Sequence, residues 1–457
     1  MRSFLASSIG VAAVAALTVP LASMAPVAAA RSAAAPASAE LAGSTQSLPM
    51  GPLPDTDRAA GGATQEGLTR REVRPFSLVG VVWDNADDEL RGSVQVRTRS
   101  RADGTWSAWQ DLETHNHDHA ADPGTAEAER PLHGSTAPLW VGDSDAVEAH
   151  VRPTDPEGEL PGGLRLDLVD PGAGPAGGDD GTRAMREPDV LPALDRAESR
   201  TEAEAAIGAE AGTGEVIGAG EAAESGEAAG AGEVVGAGEV AGSGEVVGSA
   251  MRARPYIGAR PRIVTRKGWG ADERLRERGF VYTKSVKVAF VHHTASGNGY
   301  SCAQSASVLR SIYRFHVKSS GWRDIGYNFA VDKCGNIYEG RAGGVSKAVL
   351  GAHTLGFNTN STGIAVLGTY NKTSPTAAAL KAVEQLAAWK LGLYGVNPAG
   401  KSTLVSGGGN RYKKGRSVRF NAIAGHRDGF ATDCPGARLY GRLGAARVTA
   451  AHYQGRR

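Results

Sequence analysis

The chain has 457 residues, of which 22% are charged and 41% apolar, and its length suggests two or three domains. Its net charge of +1 hides a split: residues 262–457 hold 30 Lys and Arg against 9 Asp and Glu, and residues 1–261 hold 20 against 40. The basic C-terminal half argues for a polyanionic partner, either nucleic acid or a cell wall with carboxylates and phosphate polymers.

Met1 to about Ala30 reads as a secretory signal. Arg2 supplies a thin positive start, Phe4 to Val19 is apolar and small, and Val27-Ala28-Ala29-Ala30 offers a cleavage site. A membrane anchor is the competing reading, but Ser7, Ser8, Gly10 and Pro20 interrupt the stretch. No later segment of 18 apolar residues exists, so no span is expected once the signal is cleaved. Export implies an oxidising compartment. Residues 31–71 are rich in Ala, Ser, Pro and Gly and are expected to be disordered.

Residues 72–170 carry strand signals. Ser77 to Trp83 is an apolar run, and Ser93–Arg99, Ala146–Arg152 and Leu164–Leu168 alternate apolar with polar. Short alternating strands bounded by Gly, Pro and Asp predict a small all-β sandwich. Trp106, Trp109 and Trp140 are either a saccharide platform or ordinary packing. His115, His117 and His119 share strand parity, as metal ligands would, yet their polar neighbours favour a solvated loop. Residues 171–258 read as a linker in which Gly-Glu recurs every six residues from Gly214 to Glu245. Such hexads can stack as a β-helix, but alanine fills many of the valine positions, so the entropy of ordering wins. Ten glutamates and no Lys or Arg between Thr201 and Ala250 should keep this tether extended.

From 259 to 457 strands and helices mix. Val286 to His292 predicts a buried strand that delivers His292 at its end. Ser305 to Val317 predicts a helix with Val308, Leu309, Ile312 and Phe315 on one side. Asn328–Asp332 and Asn336–Glu339 flank a turn at Lys333-Cys334-Gly335, a hairpin. Thr362–Gly368 is another apolar strand. A second helix is expected from Ser374 as N-cap and Pro375 at its first position to about Gly395. Phe420–Ala424 leads as a strand into His426.

Three motifs carry chemistry: Val291-His292-His293-Thr294, Gly425-His426-Arg427-Asp428 and Thr432-Asp433-Cys434-Pro435-Gly436. Two imidazoles and a thiolate make a three-ligand zinc set with a fourth position open, the mark of a catalytic rather than a structural site. Zinc there would polarise a carbonyl oxygen and lower the pKa of a bound water. Between the motifs lies Asp324-Ile325-Gly326-Tyr327-Asn328-Phe329, whose phenol could stand near the metal. With Cys434 assigned to zinc, Cys302 and Cys334 remain, as a disulfide or as two separate thiols.

From Arg262 to Gln454, under half of the chain, the sequence resembles the peptidoglycan recognition proteins, the zinc N-acetylmuramoyl-L-alanine amidases of the type 2 class. The carriers are the motifs above with Ile337-Tyr338-Glu339-Gly340-Arg341 and Gly351-Ala352-His353-Thr354, in the family's order. The resemblance implies an α/β fold with a mixed central sheet flanked by helices, and His292, rather than its neighbour His293, as a zinc ligand with His426 and Cys434. It implies Tyr327 as donor to the oxyanion and Thr432 as a residue orienting water or substrate. His316, Arg341 and His353 would line the substrate groove. No His-Glu-x-x-His pattern exists, and the general base stays open. The expected product is a secreted, wall-associated, monomeric amidase acting on peptidoglycan, in contact also with anionic wall polymers. A non-catalytic receptor is the alternative, but such relatives typically lose the cysteine that is present here. A nucleic-acid partner is suggested by Asn410–Arg419 and opposed by the export signal.

Overall fold

The structure, a computed structural model, describes residues 43–53, 65–114, 119–155, 158–174, 189–211 and 256–457. The signal segment, His115, His117 and the Gly-Glu hexads lie outside the described residues.

The alternating segments of the N-terminal half join in one eight-stranded sheet, where a sandwich of two sheets was expected. Its main order is Ser44–Pro49, Arg165–Asp170, Glu66–Trp83, Leu139–Pro153, Gly92–Ser100 and Gln110–Leu112. The Glu66–Trp83 and Leu139–Pro153 strands are antiparallel partners, with register shifts between Leu68 and Leu78. Bulges of this kind bend a strand and redirect its side chains, so one long pair serves the whole domain. The expectation of disorder over 31–71 fails at both ends of the described part. Ser44–Pro49 pairs along its length with Arg165–Asp170, and the central strand already begins at Glu66. Gln46 explains part of this: its amide donates to Arg74 O at 2.8 Å and accepts from Arg74 N at 3.1 Å. A contact 28 residues away leaves no local signature in composition.

Both faces of the central strand are covered, which accounts for its continuous apolar run. Phe76, Val79, Val81 and Trp83 enter the domain's own core with Val94, Val147 and Leu166. Leu78 and Val82, with Trp140 and Val169, pack instead against Val308, Leu309, Ile312 and Phe315 of the C-terminal half. Gly80 sits under the Phe315 ring; a Cβ there would lie 2.5 Å from Cε2 and Cζ. The β domain is therefore docked face-on against a helix of its neighbour. Trp140 belongs to that interface, while Trp106 and Trp109 are half-buried and stacked by Arg97, so packing is the role seen for all three.

The C-terminal half is built on a seven-stranded mixed sheet in the order Ile423–Gly425, Val288–His293, Ser361–Val366, Phe329–Val331, Ile337–Glu339, Ile263–Val264 and Val190–Leu191. The first four strands are mutually parallel; Phe329–Val331 and Ile337–Glu339 form the expected hairpin. Ala289, Val291, Ile364 and Val366 face the Ala377–Leu393 helix. Ala330, Ala365 and Leu367 face the Ser305–Arg314 helix on the other side. Cys302 and Cys334 are joined by a disulfide, their Cα atoms 6.2 Å apart.

Three boundaries differ from expectation. The first helix ends at Arg314 and widens into a π-helical turn over Phe315–Ser319, where one helix to Val317 was expected. The second helix is capped by Thr376, which accepts from Ala379 N at 3.1 Å, two residues beyond Ser374. Thr376 Oγ1 also donates to Lys333 O, a tertiary tie that selects it over the earlier serine. The segment 171–258 is also structured at 189–211. Val190–Leu191 closes the sheet edge against Ile263–Val264, and Arg196–Ala211 is helical. Asp195 accepts from Ala197 N and Glu198 N while Glu198 accepts from Asp195 N, a capping box legible in the sequence as Asp195-x-x-Glu198.

Candidate metal centre

Strand parity places the first imidazole. Val288, Phe290 and His292 share one face, and Phe290 packs with Phe357 and Phe420. His293 points the other way, where its Nδ1 accepts from Tyr370 N at 3.2 Å and its Nε2 stands 3.6 Å from Glu113. His426 follows the neighbouring parallel strand at the start of the His426–Gly429 helix, which is fixed by Asp428 accepting from Gly425 N at 2.9 Å. The chain then returns so that Arg427 N donates to Cys434 O at 2.9 Å, and Cys434 Sγ comes to 3.8 Å from His292 Nδ1. Thr432 Oγ1 accepts from Cys434 N at 3.2 Å, so this hydroxyl shapes the thiol's loop. A cleft of about 590 Å³ opens beside it, lined by Thr432, Asp433, Arg427, Asn410 and, from the β domain, Glu89.

The structure brings His292, His426 and Cys434 together, and it adds a fourth donor that sequence reasoning set aside. One ligand atom from each of His119, His292, His426 and Cys434 lies within 4.8 Å of all the others, and all four residues are buried. The expected open position is thus faced by an imidazole of the β domain. Zn–S and Zn–N bonds of about 2.3 and 2.0 Å give a tetrahedral S···N edge of roughly 3.5 Å. Cys434 Sγ is 3.8 Å from His292 Nδ1 and 4.0 Å from His119 Nε2. Three imidazoles and a thiolate at these separations fit zinc. Burial first, then the His426, His353 and His119 rings, holds His292 far below its ordinary pKa, so it is a neutral donor.

The other candidates surround this group. Tyr327 is buried with its ring 5.5 Å from those of His292 and His119. His353 packs edge-on against His292 with ring centroids 5.2 Å apart, and Gly363 makes room for it: a Cβ there would lie 2.5 Å from His353 Cγ. His316 accepts from Gly326 N at 3.3 Å through Nδ1 and packs on Trp322 and Tyr327. Arg341 Nε donates to Ile325 O at 2.8 Å, and its two terminal nitrogens donate to Glu127 at 2.7 and 2.9 Å. Burial opposes its charge, but Glu127 and then Asp324 keep its pKa above the ordinary value.

Glu127 and Asp122 were also missed. Asp122 accepts from Gly356 N at 2.8 Å, from Asn358 Nδ2 at 2.7 Å and from the backbone of Asn358 and Thr359. Asn358 Nδ2 donates also to Ala120 O at 2.8 Å. The parity of His115, His117 and His119 was the one local hint; nothing near Asp122 or Glu127 in sequence names their partners, which lie 196 to 237 residues away.

Comparisons with known proteins agree with the motifs. Residues 282–437 match the family described as N-acetylmuramoyl-L-alanine amidase, and residues 27–182 match one described as Rv3811 N-terminal galactose-binding domain-like. Peptidoglycan-recognition protein SC2 of Drosophila simulans is 31% identical over 181 residues, 40% of this chain and 84% of that one. The human N-acetylmuramoyl-L-alanine amidase is 34% identical over 185 residues, 40% of this chain and 28% of its own length. Among solved structures, wild-type Drosophila PGRP-LB aligns with a TM-score of 0.32 and 27% identity, covering 40% of this chain and 91% of that one. Peptidoglycan recognition protein LE in complex with tracheal cytotoxin aligns with a TM-score of 0.32 and 31% identity, covering 40% and 92%.

Proposed function

The chain belongs to the peptidoglycan-recognition protein and N-acetylmuramoyl-L-alanine amidase family, and from that premise we propose that it is a secreted, zinc-dependent amidase cleaving the bond between N-acetylmuramic acid and L-alanine. The observation that carries the reading is Cys434 Sγ standing 3.8 Å from His292 Nδ1 within a buried cluster that also holds His426. A receptor has no need to keep a thiol there.

His292, His426 and Cys434 would hold the metal. Zinc, when bound, supplies Lewis acidity toward the amide carbonyl and toward water. Tyr327 would donate its phenolic proton in a hydrogen bond to the oxyanion that develops as the carbonyl is attacked. Thr432 would keep the Cys434 loop in register and face the substrate from the open cleft. Arg341, with its planar pair of donors, suits a stem-peptide carboxylate, and His316 and His353 would wall the groove. Among the described residues no helix is long and apolar enough to cross a membrane. Export through the segment 1–30 and a tether within 171–258, ahead of a catalytic domain over 259–457, complete the reading. Exposed cations such as Arg411, Lys413 and Lys414 would meet anionic wall polymer.

One observation favours the receptor alternative: with His119 the donor set is complete, as in structural zinc sites. The test is direct. The full chain, its His119→Ala form and Cys434→Ser are loaded with zinc and incubated with purified sacculi. Stem peptides with a free L-alanine amine are expected from at least one of the first two. Cys434→Ser should release none and lose most of its zinc. Absence of such peptides from every form, with zinc bound, would leave the receptor.

A further inference from the structure

The groove that the amidase reading assigns to substrate is filled by the chain's own β domain. We propose that the segment His119–Arg130 is an intramolecular plug that keeps the amidase latent, with His119 as the fourth metal ligand and Glu127 seated on the carboxylate-binding Arg341. This rests on the amidase reading above.

Three independent contacts place the plug. His119 contributes its imidazole to the metal cluster. Asp122 gathers donors from Gly356, Asn358 and Thr359, and Glu127 forms a two-point ion pair with Arg341 while accepting from Arg323 N at 3.3 Å. His119, Asp122 and Glu127 are only 5–6% exposed, whereas Pro123 and Gly124 between them are exposed. The segment thus enters the groove, surfaces in a turn and enters again. Its chemistry matches what a stem peptide would bring: a short stretch of chain whose carboxylates meet an arginine fork and a row of backbone amides.

The segment is anchored beyond both ends. Glu113 meets His293, His133 N donates to Ser320 O at 3.2 Å, and Trp140 N donates to Ser296 O at 3.0 Å. The plug can therefore lift while the docked sheet stays in place. Its removal uncovers a buried guanidinium, and a ligand that brings its own carboxylate compensates that charge best. The device thus favours opening by carboxylate-bearing muropeptides over neutral glycan.

The test uses the full chain with cobalt(II) in place of zinc, because its visible bands report the coordination shell. Azide should leave the wild-type spectrum unchanged, no position being open, and should shift the bands of His119→Ala. In the zinc forms, a disaccharide-tetrapeptide fragment of peptidoglycan should bind His119→Ala at least about tenfold more tightly than wild type, the competent fraction having risen. A form cut at a protease site inserted between Pro123 and Gly124 should bind as His119→Ala does. It keeps every native side chain, so a folding defect in the point variant does not decide the matter. An azide shift in wild type as large as in His119→Ala, or equal fragment affinity in wild type and the cut form, overturns the plug. A closed wild-type spectrum and a released fragment site without hydrolysis by any form uphold the plug and sink the amidase reading. Hydrolysis by wild type at the rate of the opened forms, with an azide-sensitive spectrum, does the reverse.

Discussion

Replacing Gly80 by alanine probes whether the β domain is truly docked on the helical segment that carries Phe315. The new Cβ would lie 2.5 Å from ring atoms Cε2 and Cζ, about 1 Å inside ordinary van der Waals contact. The ring is fully buried and hemmed in by Leu78, Val82, Leu309 and Ile312, so it cannot swing aside. Overpacking of this kind costs about 1–3 kcal/mol. Phe315→Leu removes the two clashing ring atoms and keeps an apolar side chain. In that background Gly80→Ala should be close to neutral, since alanine in a strand recovers part of glycine's entropic cost. The four forms make a double-mutant cycle, read by denaturant unfolding, with an expected coupling of about 1–3 kcal/mol. The two positions are 235 residues apart and lie in different halves of the chain. Additivity within about 0.5 kcal/mol would mean that the halves do not meet at this surface, and the plug would lose its anchorage as well.

Two further outcomes follow from single side chains. Tyr327→Phe removes one donor with little change of volume, so kcat of the opened enzyme should fall by about 10²–10³ while KM barely moves; an unchanged kcat would reduce the phenol to packing. Lys390 is buried with its Nζ donating to Val345 O and Lys347 O, and burial, against a weaker pull from Glu339, pushes its pKa down to about 7. The unfolded value is near 10.4, so between these limits the unfolded chain binds the extra proton and stability rises with pH. Relative to Lys390→Met, wild type should gain up to about 1.4 kcal/mol per pH unit from pH 7 to 9, measured by urea unfolding. Parallel pH profiles for the two proteins would refute the buried, depressed lysine.

The sequence determined the parts whose signals are local. Val286 to His292 is readable as a buried strand because β-branched and apolar residues crowd into it, and the observed strand is Val288–His293. Parity puts His292 and His293 on opposite faces, and the family resemblance selects the first. The apolar stripe of Ser305–Val317, the hairpin about Lys333-Cys334-Gly335, and the motifs holding His426 and Cys434 are equally compact in sequence. Tertiary structure alone decided the rest. Thr376 rather than Ser374 caps its helix because Lys333 O waits beside it. Ser44–Pro49 is a strand because Arg165–Asp170 offers it a ladder. The apolar run Ser77–Trp83 was legible as a strand, but not that its second face is covered by a helix more than 220 residues on. The same limit governs the centre. Each ligand motif declares its own residue type, whereas the fourth imidazole and the two buried carboxylates gain their meaning from donors contributed by the other half of the chain. Coordination and ion pairing depend on distances of a few ångströms, and across hundreds of residues only the folded chain fixes those.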